Sequence, residues 1–463
     1  MLINVKLSKN FTTQLNRLFE KYGEEFAKIN GLSDDQLNFT AFIDNFVDTK
    51  TVADASVDGN ANVGHKDIVT MINEMPKSHQ KLLALHKIYY ELNKKYGFKT
   101  ANLWLEMEWN KTLGLHDAHS STMVPYCFAY DLKDLAEKGL YFITDFNAQP
   151  PQHLTTFVDF VKEHCSYACN HSAGAVAYPN LIPYMYYFWK RDLNNHYMGI
   201  DDSYAEDFAK QQIQRLIYAL NQPFLRGSIQ SAFTNVNFFD HPYFEAIFGG
   251  AIFPDGSFMI DAEEEIIEFQ KLFLKVMGEI RHQNMMTFPV STISLLTTEN
   301  GDFVDEEFAR WACEHNRTWN DSNWFVDSNV TSLSSCCRLR NDIAELGYMN
   351  TIGGAALKVG SVKVSTINLA RISYESDTEQ QYLTKLRDVL DINLKLLDCQ
   401  RHIIQRNIEK GLLHTFDCKM IEMQYLYSSI GIMGIFETMK KFGYTKQDEF
   451  GNTYYTPEAY RFG

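Results

Sequence analysis

Segments with strand-like alternation lie between long amphipathic segments in this chain, and this order limits the possible folds more than any other feature. In SVKVSTINLARI, one set of residues alternates with another: Val362, Val364, Thr366 and Asn368 against Lys363, Ser365 and Ile367. A long helix is predicted next, because leucines repeat on one face from Leu383 to Leu397 and Gly411 is a natural stop. The apolar segment MMTFPVSTISLL likewise follows a predicted helix over 261–283. Strands that alternate with long helices predict an α/β layer or barrel architecture.

The first 100 residues are predicted to be mainly helical. Residues 12–26 and 78–96 carry apolar side chains at three- and four-residue steps, and the polar loop ASVDGNANVGHKD lies between them. Further along, Ser203 and Ser376 are each followed by a glutamate three residues later. That spacing is typical of a capping box, so a helix is predicted to begin at each serine.

Composition and charge exclude several classes of protein. Hydrophobic residues make up 45% of the 463 residues and aromatic residues 14%, enough for a large core. The net charge of −15 disfavours non-specific binding to nucleic acid or to anionic lipid. The sequence shows no signal peptide and no apolar run of roughly 18 residues. We therefore expect a cytoplasmic protein (in the host cytoplasm if virally encoded) with neither nucleic acid nor membrane as a partner.

Eight cysteines are scattered along the chain without a CxxC pair, at positions 127, 165, 169, 313, 336, 337, 399 and 418. In a reducing compartment the simplest interpretation is a set of buried thiols. Cys165 and Cys169 lie near His164 and His171, but this spacing is poor for zinc, and we predict no metal site.

Two cysteine segments are candidates for chemistry. Cys127 lies in HDAHSSTMVPYCFAYDL, and the pair Cys336–Cys337 lies in SLSSCCRLRND, with GGAALKVGS a short interval later. Such Ser- and Gly-rich surroundings are typical of a loop displayed on a scaffold, and Arg338 could stabilise a thiolate or an anionic substrate group. From these residues alone, structural thiols remain the favoured interpretation.

Six segments, in the same order, resemble those of the anaerobic (class III) ribonucleoside-triphosphate reductases, a glycyl-radical enzyme family. They are SVDGNANV, LHDAHSSTMVPYCFAYDL, NQPFLRGSIQSAFTNVNFFD, MMTFPVSTISLL, SSCCRLR with GSVKVSTINLARISY, and MQYLYSSIGIMGIFETMKKFG. The resemblance implies a ten-stranded α/β barrel of the glycyl-radical type, built from two five-stranded halves. The helical region then covers 1–100, where the sequence departs from the family in showing no ATP cone. The barrel then occupies 101–463, with a finger loop near 331–340 and an incomplete C-terminal end.

The resemblance also implies roles for individual residues. The thiyl radical forms on Cys337, with Cys336 as the alternative, and Cys127 is the partner cysteine across the substrate. Asn368 could hold the substrate hydroxyls, although a strand-end hydrogen-bonding role is equally consistent with its position. The residues expected to bind substrate are His116, Asp117, Ser335, Arg338 and Ser361.

The implied reaction is the reduction of ribonucleoside triphosphates to deoxyribonucleoside triphosphates by thiyl-radical chemistry. The implied partners are a dNTP or ATP specificity effector, a radical-AdoMet [4Fe-4S] activase acting in trans and a second copy of the chain. The reductant stays open between formate and a thioredoxin-like protein.

The sequence departs from the family pattern in two further places. Asn368-Leu369-Ala370-Arg371 stands where the family usually has Asn-Leu-Pro-Arg. The 463 residues also lack a glycyl-radical motif and the family's four-cysteine zinc site. We therefore expect the large fragment of a split or truncated enzyme, inactive until a separate C-terminal fragment supplies the radical and the zinc site. The alternatives are another glycyl-radical enzyme of the formate-lyase or dehydratase type, and a non-catalytic nucleotide-binding remnant.

Overall fold

Helices form the first part of the chain. The computed structural model describes residues 6–48, 68–142, 147–222, 231–284, 286–330, 332–334, 340–342 and 358–463. Within these ranges six helices precede the first strand: α1 (Lys9–Ile29), α2 (Asp34–Leu37), α3 (Phe39–Asp48), α4 (Ile68–Glu74), α5 (Lys77–Tyr96) and α6 (Phe98–Trp109). The helices predicted over 12–26 and 78–96 correspond to α1 and α5.

A run of parallel strands forms most of the sheet. After β1 (Leu113–Leu115) come β2 (Cys127–Ala129), β3 (Val176–Tyr178), β4 (Thr234–Phe239), β5 (Val290–Leu296) and β6 (Ser322–Asp327). Strands β2 to β6 are neighbours in that order and all run parallel.

The connecting helices are α7 (Ala118–Ser121), α8 (Lys133–Lys138), α9 (Leu154–Asn170), α10 (Leu181–Asn194), α11 (Ala205–Leu220), α12 (His241–Phe248), α13 (Glu263–Gln283) and α14 (Glu306–Trp319). The predicted strand in MMTFPVSTISLL is β5, and the predicted helix before it is α13.

Strand β9 (Gly360–Asn368) joins this parallel half to the remaining strand of the sheet. Along one edge β9 pairs antiparallel with β1 and β2, which lie end to end, and along the other it pairs parallel with β10 (Leu426–Met433). The described residues thus form a curled, eight-stranded sheet. The strand predicted in SVKVSTINLARI is confirmed, whereas the count of ten strands stays a prediction.

The remaining elements lie around β9 and β10. They are β7 (Ser332–Ser334), β8 (Arg340–Asp342), α15 (Leu369–Tyr374), α16 (Glu379–Glu409), α17 (His414–Asp417), α18 (Ile435–Lys441), β11 (Thr445–Gln447), β12 (Thr453–Tyr455) and α19 (Pro457–Phe462). The predicted leucine helix is α16. No helix within the described ranges is long and apolar enough to span a membrane.

The two faces of the sheet carry different side chains. On the outer face, Phe128 and Tyr178 belong to the large core between the sheet and the helices. On the opposite, inner face, the side chains form a separate small cluster of Cys127, Ala129, Ala175, Ala177 and Val359. This separation follows from the two-residue period of a strand, which sends successive side chains to opposite faces.

The two predictions that a serine caps a helix are both wrong in detail. Helix α11 begins one residue later than Ser203 predicts, with Tyr204 as its N-cap, because the Ser203 hydroxyl donates to Asp201 instead. Helix α16 is capped by Thr378, whose side chain accepts from the N–H of Gln381. Ser376 donates its hydroxyl to the carbonyl of Ile372 in the preceding helix and is not available as a cap.

Candidate functional site

Cys127 lies at the start of β2, on the inner face of the sheet, with 2% of its surface exposed. Its backbone is paired with Ser361 of β9, so the two side chains lie on the same face. The neighbouring inner-face residues Ala129, Ala175 and Ala177 have small side chains, which fill little of the space beside the thiol. The arrangement presents a sulfur atom on a fixed strand, inside the curl of the sheet.

Two serines and a glycine bring three strands together at this thiol. The Ser361 hydroxyl lies 2.9 Å from the Ser429 hydroxyl, which links β9 to β10. At Gly360 a Cβ atom would lie 2.3 Å from the carbonyl oxygen of Cys127, so only glycine allows β9 to approach β2 so closely. We call this meeting of β2, β9 and β10 around Cys127 the seam.

A polar cluster lies next to the seam, where β1 ends. The His116 Nε2 atom is 2.7 Å from the Thr366 hydroxyl of β9. Asp117 has a φ of +45°, a left-handed conformation that aspartate tolerates better than most residues and that turns the chain into α7. The Tyr126 hydroxyl donates to Asp117 Oδ2 at 3.2 Å. His116 and Asp117 are exposed and can offer hydrogen bonds to the hydroxyl groups of a bound ligand.

Lys363 is a buried residue of β9 that the sequence did not single out. Its side chain is inaccessible to solvent, and its Nζ donates to the carbonyl of Val124 at 2.8 Å. Burial lowers the pKa of Lys363 well below its usual value, against the smaller opposing influence of the Asp117 charge. An alternating strand pattern places a lysine on the solvent-facing side, so the pattern gives no indication that Lys363 is buried.

Asn368 lies away from the seam. It is the N-cap of α15, and its side-chain oxygen accepts the N–H of Arg371 at 3.0 Å. Seven residues separate it from Ser361 along β9, which corresponds to roughly 20 Å at the usual rise of a strand. The structure therefore does not bring Asn368 to Cys127, and the observed hydrogen bond matches the strand-end alternative.

The predicted finger loop is described only at its two ends. Ser335, Cys336, Cys337 and Arg338 lie outside the described residues. On either side of them β7 and β8 pair antiparallel, with Ser334 opposite Arg340, and β7 runs near β5. The chain thus enters and leaves this segment beside one strand of the parallel half.

Comparison with known families decides what kind of protein this architecture belongs to. The model of the family described as anaerobic ribonucleoside-triphosphate reductase matches residues 61–463. The chain belongs to the anaerobic ribonucleoside-triphosphate reductase family. Its members are enzymes, and the rival formate-lyase or dehydratase interpretation is thereby set aside.

Solved structures agree with this assignment. The anaerobic ribonucleotide reductase from Thermotoga maritima in complex with dATP and CTP is similar to this chain, with 34% identity and a TM-score of 0.86. It is matched over 100% of this chain and 73% of its own. The same enzyme with dATP bound in the specificity site gives 34% identity, a TM-score of 0.85 and the same coverage.

A further structure, of an anaerobic ribonucleotide reductase, gives 35% identity and a TM-score of 0.86 over 100% of this chain and 70% of its own. A search among curated proteins found no match. The α/β barrel class expected from the sequence is confirmed by these structures.

A zinc site of the kind that the resemblance implies does not fit the described residues. No group of three or more His, Cys, Asp or Glu side chains within the described ranges could hold a metal ion. His164, near Cys165 and Cys169, has its Nδ1 atom 2.8 Å from the Tyr178 hydroxyl. Burial lowers the pKa of His164 to about 3, so this histidine is a neutral part of the core.

A surface cavity of about 920 Å³ lies on the outer helical layer, lined by residues of α10, α11, α13 and α14. Three tryptophans line it together with more carboxylates than ammonium groups: Glu206, Glu264, Glu265, Glu268 and Glu314 against Lys271 and Lys275. Such a lining repels a triphosphate. A reductase substrate is therefore not expected here, and the seam remains the candidate site.

Proposed function

We propose that this reductase acts on its nucleotide at the seam, with Cys337 as the site of the thiyl radical and Cys127 as the hydrogen donor. The observation that carries the proposal is the buried position of Cys127 on the inner face of a fold that matches anaerobic ribonucleotide reductases. A thiol shielded from bulk water can meet a sugar held within the curl of the sheet.

The chemistry requires two sulfur atoms on opposite sides of the ribose. A thiyl radical on Cys337 takes the 3′-hydrogen, which forms an S–H bond and leaves a carbon radical. This radical weakens the neighbouring C2′–O bond, and the 2′-hydroxyl leaves as water after protonation. Cys127 then donates a hydrogen atom to C2′, which leaves a 3′-keto sugar and a radical on Cys127. A reductant of the formate or dithiol class returns a hydrogen atom to Cys127 and gives one electron, with a proton, to the ketone. Cys337 finally returns its hydrogen to C3′ and regains the thiyl radical. The reacting atoms must approach to about 3 to 3.5 Å, so we expect the two sulfurs to lie within roughly 10 Å of each other.

The remaining predicted residues bind the substrate in this proposal. His116 and Asp117 offer an imidazole and a carboxylate for the sugar hydroxyls, beside the strand that carries Cys127. Ser361 supports the seam through its contact with Ser429. Ser335 and Arg338 are assigned to the triphosphate or to the radical cysteine through their neighbourhood in sequence. Cys336 stays the alternative radical site, and Asn368 stays a prediction without a contact at the seam.

The radical, the effector and the partners complete the proposal. A glycyl radical supplies the oxidising equivalent for Cys337, and a radical-AdoMet activase generates it. The 463 residues contain no glycyl-radical motif, so the radical comes from a segment outside them. Because the Thermotoga maritima structures hold CTP and dATP, we propose CTP as a substrate and dATP as a specificity effector. A homodimer is part of the same proposal.

The test is anaerobic assembly of the chain with a glycyl-radical segment, activase, AdoMet, CTP and reductant. Electron paramagnetic resonance measures the radical, and chromatography measures dCTP and free cytosine. We expect dCTP only when the radical segment is present. The matched control is Cys313→Ser, because Cys313 is an exposed thiol on α14 and should leave activity unchanged.

The two cysteine variants are expected to fail differently. Cys337→Ser should give no dCTP, no hydrogen exchange at C3′ and no free cytosine, because abstraction never begins. Cys127→Ser should give free cytosine without dCTP, because abstraction begins and the sugar radical then decays. If Cys336→Ser shows the first pattern and Cys337→Ser does not, the radical belongs to Cys336. Full dCTP formation by Cys127→Ser would contradict the proposed role of Cys127.

A further inference from the structure

Lys363 lies beside the seam, yet the reaction described above gives it no role. Its side chain is fully buried, and no carboxylate of the described residues lies within ion-pair distance of its Nζ. A charged group in such a place loses its hydration, and an apolar side chain of similar length would fill the space without that cost. Packing alone therefore does not account for a lysine at this position.

The side-chain amine of Lys363 binds the chain segment that leads to Cys127. Its acceptor, Val124, lies three residues before Cys127, between α7 and β2. The preceding carbonyl, that of Met123, accepts from Asn407 of α16 at 2.9 Å. Two buried side chains from two different elements thus hold consecutive carbonyls of one segment.

The same segment is also tied to β9 by its backbone. The N–H of Tyr126 donates to the carbonyl of Ser361 at 3.1 Å, directly before the pairing of Cys127 with Ser361. Tyr126 in turn donates its hydroxyl to Asp117. Displacement of the Val124 carbonyl would therefore move the polar cluster and the thiol together.

We propose that Lys363 is a positioning residue. It holds the segment before Cys127 in place, so that the Cys127 thiol donates its hydrogen before the sugar radical decays. This inference rests on the proposed function. It concerns the reduction step alone, because abstraction of the 3′-hydrogen is assigned to a cysteine on another segment. Loss of Lys363 should therefore leave the first step intact and slow the second.

The experiment compares three variants in the assembled, radical-bearing enzyme. Lys363→Met keeps an unbranched side chain, one bond shorter than that of lysine, and removes the amine. Lys363→Gln keeps an N–H donor that reaches one bond less far. The matched control is Asn393→Leu, because Asn393 of α16 is also fully buried and its hydrogen bond comes from Ser365 of β9 rather than from the segment before Cys127.

Two quantities separate positioning from general damage to the fold. The first is the ratio of free cytosine to dCTP during turnover. The second is the rate at which iodoacetamide alkylates Cys127 without any radical, followed by mass spectrometry. We expect Lys363→Met to raise the ratio about tenfold, since small misplacements of reacting groups have effects of that order. Alkylation should also become faster, whereas the Kd for CTP stays within about twofold of the wild-type value.

Lys363→Gln should lie between wild type and Lys363→Met, and Asn393→Leu should keep both wild-type values. A wild-type ratio and a wild-type alkylation rate in Lys363→Met would overturn the proposal, as would an equal change in Asn393→Leu. If Lys363→Met does not fold, an alkylation rate in Lys363→Gln identical to wild type overturns it. Failure of the wild-type enzyme to form dCTP rejects the proposed function, and the alkylation test of Lys363 still applies.

Discussion

Strands β2 to β4 are packed very differently from β10, although all four belong to the same sheet. Every residue of β3 and β4 is buried, as is typical of parallel strands covered by helices. In β10 three large apolar side chains are exposed, those of Tyr427, Ile432 and Met433. Among the described residues no strand pairs with the far edge of β10.

This difference shows where the geometry of the site is determined. Cys127 belongs to the tightly packed parallel strands, whereas Ser429 belongs to the exposed β10, and Ser361 lies between them on β9. The position of the thiol is therefore fixed by a well-packed core. The distance from the thiol to the opposite side of the site, in contrast, depends on how closely β9 and β10 approach each other.

The largest difference between the two regions should appear in stability. Phe238 of β4 is fully buried against Phe273, and Phe238→Ala should lower the free energy of unfolding by about 3–5 kcal/mol. Ile432 of β10 is 57% exposed, and Ile432→Ala should change it by less than about 0.5 kcal/mol. Denaturant titrations of both variants measure the contrast. A large loss in Ile432→Ala would show that β10 is covered in solution and that the two regions are equally packed.

Glycine substitutions at the two edges of β9, Gly360 in β9 against β2 and Gly431 in β10, give a second, smaller contrast. A Cβ at Gly360 would meet the Cys127 backbone, which cannot move alone, so Gly360→Ala should cost about 1–3 kcal/mol. A Cβ at Gly431 of β10 would lie 2.5 Å from the Thr366 hydroxyl, a side-chain atom that can rotate away at the cost of its contact with His116. Gly431→Ala should therefore cost about 1 kcal/mol or less.

Urea midpoints and dCTP formation are the measurements for this pair. We expect Gly360→Ala to lose activity, because it moves Cys127 against β9. Equal losses of unfolding free energy in the two variants would mean that the seam deforms as easily as the exposed edge of the sheet.

The fold was predictable where one face of an element meets solvent. Helices such as α5 and α16 and the alternating strand β9 leave a periodic pattern that a single sequence displays. The short strands β2 and β3 leave none, because they are buried on both faces. The capping serines failed because local hydrogen bonds of their side chains compete with the cap.

The candidate site was predictable only as far as the resemblance reached. Cys127, His116 and Asp117 were found through motifs, and the structure brings them to neighbouring strand ends. Lys363 was missed because simple alternation assigns it to solvent. A register shift between Tyr427 and Ser428 makes Val362 an extra residue of β9, and this bulge breaks the alternation beside Lys363.

The smallest predicted effect concerns an ion pair in the parallel half. Among the described residues, β10 has no such pair. His241 of α12 and Asp305, the N-cap of α14, lie 2.6 Å apart between Nδ1 and Oδ2. Burial opposes both charges, but the hydrogen bond between them and the surrounding charges and backbone donors together outweigh it, raising the pKa of His241 and lowering that of Asp305. The stabilisation is present while His241 is protonated and is lost as the pH rises through its raised pKa.

The Tm of the wild-type protein should therefore fall between about pH 6 and about pH 8. The fall should correspond to a loss of well under about 1 kcal/mol in the free energy of unfolding. Asp305→Asn keeps a helix cap and should flatten that slope. Parallel slopes in the two proteins would show that the pair contributes nothing to stability.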